Sequence, residues 1–275
     1  GRVMPRTPTR RFIGYPAGSL LAVLPDPESA AAGPATRPPA FPTATTFSTQ
    51  ELRRQAVKER GLFLLALSGG RTPEQLYRRL ASSPFCDQGD WTNTEFFFSD
   101  ERCVPAHHPD SNFNLADETL FRPLDIPSHR IHRMACEQAD ADLAAHDYEQ
   151  VLRTVTKTRP EGWPRLDLVL LGIGQDGHTA SLFPGTDAVQ ERRRCVTVGY
   201  APSGPRTRLT LTLPVINQAT VVLFLVTGTA KAEIVKTILE PQQEVDRLLP
   251  AALVRPEGGR LIWLLDPPAA APGNG

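Results

Sequence analysis

Short, unbroken apolar runs, spaced by segments of helical period, constrain this chain more than any other feature. Leu62–Leu67, Leu166–Leu171, Thr220–Val226 and Leu261–Leu265 are apolar almost throughout, with no alternation of faces. Strands buried on both sides read this way. Glu95–Ser99 is a shorter strand candidate, Leu209–Leu213 has a period of two, and Leu20–Leu24 is a brief apolar stretch. Between them, helices are expected from about Thr49 to Arg60, over Pro73–Leu80, from near Ser111 to Phe121, and over Ala139–Thr156 and Ala230–Leu239. The first begins with Phe47 and Ser48 ahead of Glu51 and Leu52, a hydrophobic staple with a capping box. Buried strands alternating with helices predict an α/β fold, a mainly parallel sheet flanked by helices. No repeat or composition break divides the chain. One domain is therefore expected over residues 19–268, with an unstructured leader (1–18), a Pro-rich loop (33–46) and an unstructured tail (269–275).

Charge narrows the partners. The 275 residues carry 30 basic and 30 acidic groups, so no global field favours nucleic acid or a membrane surface. No apolar run approaches the roughly 18 residues of a membrane span. Arg2, Arg6, Arg10 and Arg11 give the start a basic character, but Pro5, Pro8 and Pro16 oppose an amphipathic targeting helix. A cytoplasmic location and a monomer or weak homo-oligomer are expected. Cys86, Cys103, Cys136 and Cys195 form no C-x-x-C pair and read as free thiols in a reducing compartment. His129 and His132 lie between arginines with no acid or cysteine at ligand spacing, and read as surface residues. Neither a metal nor a cofactor is expected.

Parallel sheets bind ligands at the carboxyl ends of their strands, and polar loops follow several strands here. Ser68-Gly69-Gly70-Arg71-Thr72-Pro73 combines a glycine turn with Thr72 as a candidate N-cap and Pro73 as first helical residue, completed by Gln75. It suits either an anion at a helix N-terminus or an ordinary strand-to-helix turn. Asp100-Glu101-Arg102, followed by Asp110-Ser111-Asn112, is either a solvated ion-pair cluster or part of a site. Gly172-Ile173-Gly174-Gln175-Asp176-Gly177-His178 contains a formal G-x-G-x-x-G. Pro184 and Gly185 stop any following helix, however, and no strand ending in an acid follows, so a dinucleotide is not expected. His178 reads instead as a titratable group beside Asp176. Arg208 and Lys231 are candidate anion ligands, and Lys231 in a first helical turn opposes the dipole unless an anion is bound there. A snorkelling surface lysine is the plainer alternative.

Together these loops resemble the 6-phosphogluconolactonase family over roughly residues 20 to 265. The resemblance rests on Ser68-Gly69-Gly70 with Thr72-Pro73, Asp100-Glu101-Arg102 with Val104-Pro105, and Asp110-Ser111-Asn112. It continues in Gly172–Gly185 (GIGQDGHTASLFPG), Arg208–Pro214, and Gly228 with Lys231. It implies a Rossmann-like sheet shared with glucosamine-6-phosphate deaminases and a sugar-phosphate lactone as substrate. It further implies a phosphate held by Ser68, Gly69, Gly70, Thr72, Arg208 and Lys231, with His178 as base and Asp100, Arg102 and Asp176 around the sugar. The Pro-rich segment and Arg71, at a position usually small and polar, depart from the family pattern. Two alternatives remain. A deaminase on the same scaffold is disfavoured by Asp-Glu-Arg where that family has Asp-Glu-Tyr, and by Thr-Ala-Ser-Leu-Phe-Pro-Gly after Gly-His. A catalytically silent sugar-phosphate binder is disfavoured by the retention of His178 and Asp176.

Overall fold

The computed structural model describes residues 10–12, 49–83, 85–88, 91–137 and 140–270. The strand expected at 20–24, the Pro-rich segment 33–46 and the Phe47–Ser48 staple lie outside them. The strands are β1 (Arg10–Phe12), β2 (Phe63–Leu67), β3 (Thr94–Phe98), β4 (Asp100–Arg102), β5 (Leu168–Leu171), β6 (Val196–Tyr200), β7 (Thr207–Leu211), β8 (Val221–Val226) and β9 (Arg260–Leu265). The helices are α1 (Thr49–Arg60), α2 (Arg71–Leu80), α3 (Phe85–Gln88), α4 (Asn112–Ala116), α5 (Ala141–Val155), α6 (Asp187–Gln190), α7 (Leu213–Gln218), α8 (Ala232–Leu239) and α9 (Pro267–Ala270).

Six strands form a parallel sheet in the order β1-β9-β8-β5-β2-β3, flanked by helices. Every residue of β2, β5 and β8 is buried, as their unbroken apolar character requires, and β3 is buried throughout although it includes Thr94 and Glu95. Phe224 and Trp263 face each other across β8 and β9 with ring centroids 4.0 Å apart. Helix α5 buries Ala144, Ala145, Tyr148 and Leu152, one stripe of a 3.6-residue period. Asp167, buried ahead of β5, accepts a 2.9 Å hydrogen bond from Leu64 N and pairs with Arg60, fixing the amino end of the sheet.

A second, antiparallel sheet of order β4-β7-β6 leaves the first at Ser99. Its N–H and Oγ both donate to Leu67 O in the parallel sheet, while its carbonyl accepts from Leu211 N at the end of β7. This small sheet is the main feature the apolar pattern leaves out. Its strands are polar or mixed, and β7 ends at Leu211, so Leu213 opens α7 where a strand was expected.

Other expectations need correction. Cys103 and Cys136 are not free thiols; they form a disulfide, with Cα atoms 4.9 Å apart, whereas Cys86 and Cys195 form no disulfide. Their separation of 33 residues matches no short motif, and only the path back along β3 brings them together. His132 is not on the surface. It is half-buried, bonds to Glu95 at 2.7 Å and stacks on Phe97 at 4.7 Å, its acid lying 37 positions away. The helix after Ser111 turns into a π-helical stretch over Asp117–Phe121. Arg10–Phe12, inside the expected leader, pair with β9, and α9 continues to Ala270. Among the described residues no helix is long and apolar enough to cross a membrane.

The disulfide closes a loop of 33 residues, and constraining the unfolded chain over that length contributes about 3–4 kcal/mol in the chain-entropy model. Urea unfolding with and without reductant should show a loss of that order. A Cys103→Ser/Cys136→Ser variant should be insensitive to reductant.

Candidate active site

The topology fixes where a ligand can enter. From β2 the chain moves to β3 on one side, then returns to β5 on the other, so strand order reverses between β2 and β5. Connections diverge above such a switch point and leave a crevice at the carboxyl ends. A cavity of about 140 Å³ lies there. Ser68 and Gly69 reach it from β2, Asp100 and Arg102 from β4, and Asn112 from α4. Gly172, Ile173, His178 and Ala180 line it from the loop after β5, and Arg208 from β7.

Six of the expected site residues therefore line the cavity: Ser68, Gly69, Asp100, Arg102, His178 and Arg208. Gly70, Thr72, Asp176 and Lys231 do not line it. Asp176 stands behind His178, its Oδ1 2.5 Å from Nδ1 and 3.2 Å from the His178 backbone N. A carboxylate accepts, so Nδ1 holds the proton and the Nε2 lone pair is left free to take another. Phe183 lies against the imidazole with centroids 4.5 Å apart. Gly174 makes the pair possible, since a Cβ there would overlap both the imidazole and the Asp176 carboxylate. No helix follows this loop until the four-residue α6, so the formal G-x-G-x-x-G does not open a dinucleotide site.

The start of α2 differs from expectation. Gly70, at φ +102°, is the N-cap, and the helix begins at Arg71. Thr72 does not cap. Its Oγ1 lies 2.7 Å from Thr227 Oγ1, tying this helix end to the loop after β8. No side chain caps the helix, leaving first-turn N–H groups and the positive dipole end unscreened by one. Lys231 follows that same loop after β8, as the N-cap of α8 rather than inside its first turn. Burial lowers its pKa, Arg71 adds to that and Asp176 opposes it.

Arg102 and Arg208 face each other directly across β4 and β7. Like charges so placed repel. Arg102 Nη1 donates to Asp110 O at 2.6 Å, but its Nε is buried without a partner. Arg208 Nε donates to Pro205 O at 3.1 Å, and its guanidinium lies 5.7 Å over the Phe183 ring. Burial, then the charge of Arg102, draw the Arg208 pKa below the ordinary guanidinium value, with Asp100, Asp110 and Glu101 opposing. A bound anion would relieve both effects.

Acids brace the site. Asp100 Oδ2 accepts 2.6 Å from Ser181 Oγ, next to Ala180, whose φ of +49° is rare outside glycine. Glu101 is buried and turned away from the cavity. It accepts from the backbone N–H groups of Arg102, Asn112 and Phe113 and from Ser111 Oγ, at 2.7–3.0 Å. Burial raises its pKa despite these bonds. Tyr77, buried beneath the site, accepts from Ser68 N and donates to Ser68 O. Among the described residues no cluster of three or more His, Cys, Asp and Glu could hold a metal ion.

The profile of the glucosamine-6-phosphate isomerases/6-phosphogluconolactonase family matches residues 40–263. The chain belongs to that family. A protein of Nostoc sp. named 6-phosphogluconolactonase is 40% identical over 216 residues, 78% of this chain and 87% of its own. One of the same name from Synechocystis sp. is 42% identical over 212 residues, covering 77% and 85%. Among solved structures, 6-phosphogluconolactonase from Trypanosoma cruzi superposes with a TM-score of 0.71 at 32% identity, covering 80% of this chain and 88% of that one. A monomeric glucosamine-6-phosphate deaminase gives 0.64 at 25% identity, covering 80% and 93%. The Rossmann-like sheet expected from the sequence is thus the fold of both branches.

Sequence reasoning assigned no role to Asn112, Ser181 or Phe183. Each lies in a motif that was already visible, yet what marks it is a contact with a residue distant in sequence or a side chain aimed across the cavity.

Titration with inorganic phosphate should stabilise the protein saturably against heat. Arg208→Gln should weaken phosphate by about 10- to 150-fold, the range for a charge-assisted contact. Unchanged affinity by calorimetry would remove the arginine pair from anion binding.

Proposed function

We propose that this chain hydrolyses 6-phospho-D-glucono-1,5-lactone to 6-phospho-D-gluconate. The observation that carries the reading is the His178–Asp176 pair, set in the same cavity as two facing arginines. The relatives named 6-phosphogluconolactonase support the substrate class. A δ-lactone is an activated ester, so a base and a positioned water suffice. Neutral His178 takes the proton of the attacking water at Nε2, Asp176 stabilises the resulting imidazolium, and the imidazolium then protonates the departing ring oxygen. Arg102, which lines the same cavity, stabilises the oxyanion. Arg208, Lys231, the Ser68-Gly69-Gly70 turn and Thr72 hold the phosphate, turning binding energy into orientation of the carbonyl. The catalytic unit is a single domain that includes β1 and α9.

The decisive assay follows freshly generated lactone against its spontaneous opening, which must be subtracted at every pH. Wild-type protein should accelerate opening, with activity falling on the acid side as His178 protonates. His178→Asn should lose roughly 100- to 10,000-fold in kcat together with that acid limb. Near-wild-type turnover with the same limb would make His178 structural. Release of ammonia from glucosamine 6-phosphate would instead favour the deaminase branch.

Arg208→Ala and Lys231→Ala should each weaken the phosphorylated lactone by about 10- to 150-fold in kcat/KM while sparing unphosphorylated gluconolactone. Equal losses on both substrates would place these cations elsewhere in the mechanism.

A further inference from the structure

Asn112 presents an unused hydrogen-bond acceptor to the cavity. The residue is 3% exposed and lines the cavity wall. Its backbone N–H donates to Glu101 Oε1 at 2.7 Å. Its side-chain amide donates to Asp100 O at 2.8 Å and to Asp100 Oδ1 at 3.3 Å. Both partners are acceptors, so the NH₂ end must face them and the amide orientation is fixed by chemistry. Both amide hydrogens are thereby used. The other end, Oδ1, accepts no hydrogen bond from any described residue. It is turned toward Gly69, where a Cβ would overlap it.

That last contact changes the meaning of Gly69. A glycine in this turn suggests close approach of a phosphate to the backbone. Gly69 has no positive φ, unlike Gly70 at φ +102°, so its backbone conformation is open to other residues. What excludes a side chain at position 69 is the Asn112 amide oxygen. The site thus keeps a rigid acceptor beside the Asp100 carboxylate, in the cavity that Arg102 and Arg208 also line. Two adjacent acceptors in a cavity that also presents Arg102 and Arg208 suit a polyhydroxylated anion: Arg208 takes the charged end, and the acceptors take O–H donors along the carbon chain.

We propose that Asn112 is a specificity-determining residue whose Oδ1 accepts a hydrogen bond from a ring hydroxyl of the sugar lactone. The inference rests on the lactonase reading and narrows it. A buried acceptor left without its donor carries the full desolvation penalty, so a substrate lacking that hydroxyl is rejected.

The test compares 6-phosphogluconolactone with its 2-, 3- and 4-monodeoxy analogues, on wild type, Asn112→Leu and Asn112→Ser. The readout is the ratio of kcat/KM between parent and analogue within one sample. That ratio does not depend on how much of a variant is folded. Wild type should discriminate against one of the analogues by about 5- to 100-fold. In the variants that discrimination should collapse to within about 2-fold while the ratios for the other analogues hold. Should Asn112→Leu fail to fold, Asn112→Ser carries the comparison with a smaller, polar side chain. Ratios that stay as in wild type, or a wild type indifferent to all three analogues, would overturn the assignment and leave Asn112 a structural brace for Asp100. A wild type that fails to accelerate opening of the parent lactone would defeat the lactonase reading itself.

Discussion

A parallel sheet stops supplying hydrogen-bond partners at its carboxyl edge, and a buried edge must find them elsewhere. In this chain side chains finish the ladder. Tyr77 satisfies both backbone groups of Ser68 beyond β2. Tyr148 accepts from Phe98 N at the end of β3 and donates to His132 O. Thr179 Oγ1 donates to Gly172 O beyond β5, and the Asp266 carboxylate accepts from Gly228 N beyond β8. Burial pushes both tyrosine hydroxyls well above their ordinary pKa, which keeps them neutral donors. With these groups in place, the loops above the edge are held from below, and their remaining polar atoms can be spent on a ligand.

The second sheet adds what the first lacks, a wall of charge. Splitting off at Ser99, it sets Arg102 and Arg208 side by side without a neutralising acid between them. Nearby acids are already engaged: Glu101 with backbone N–H groups, Asp100 with Ser181 and Asn112, Asp176 with His178. Asp100, Asp110 and Glu101 still act on Arg208 through their charge, against the burial and the Arg102 charge that lower its pKa. This arrangement puts strain where function needs it, including the left-handed Ala180 beside the acid wall.

The parallel sheet was legible because both its faces are buried, and burial leaves an unbroken apolar signature. Helices α1, α2, α5 and α8 were legible from their apolar period. The antiparallel sheet was not, since Asp100-Glu101-Arg102 carries no strand signature and is a strand only because β7 pairs with it. The same limit applies to the site. His178 beside Asp176 is a local signal, two positions apart, and was readable. The Arg102–Arg208 pair, the Cys103–Cys136 bond and the Glu95–His132 contact join residues far apart in sequence, and no spacing encodes them. Thr72 misled for a related reason: a good capping residue was claimed by Thr227 from the loop after β8, and Gly70 took the cap.

The contact between Gly69 and Asn112 has a consequence on an evolutionary timescale. Position 69 tolerates no side chain while Asn112 stands in place, although its backbone would accept one. Substitutions at the two positions are therefore ordered. A lineage that first shrinks residue 112 is then free to change residue 69, whereas the reverse path begins with an overlap. Once a side chain has settled at 69, asparagine cannot return to 112 without a second change. The pair works as a ratchet, and it ties the history of a turn after one strand to the history of a helix start more than forty residues later.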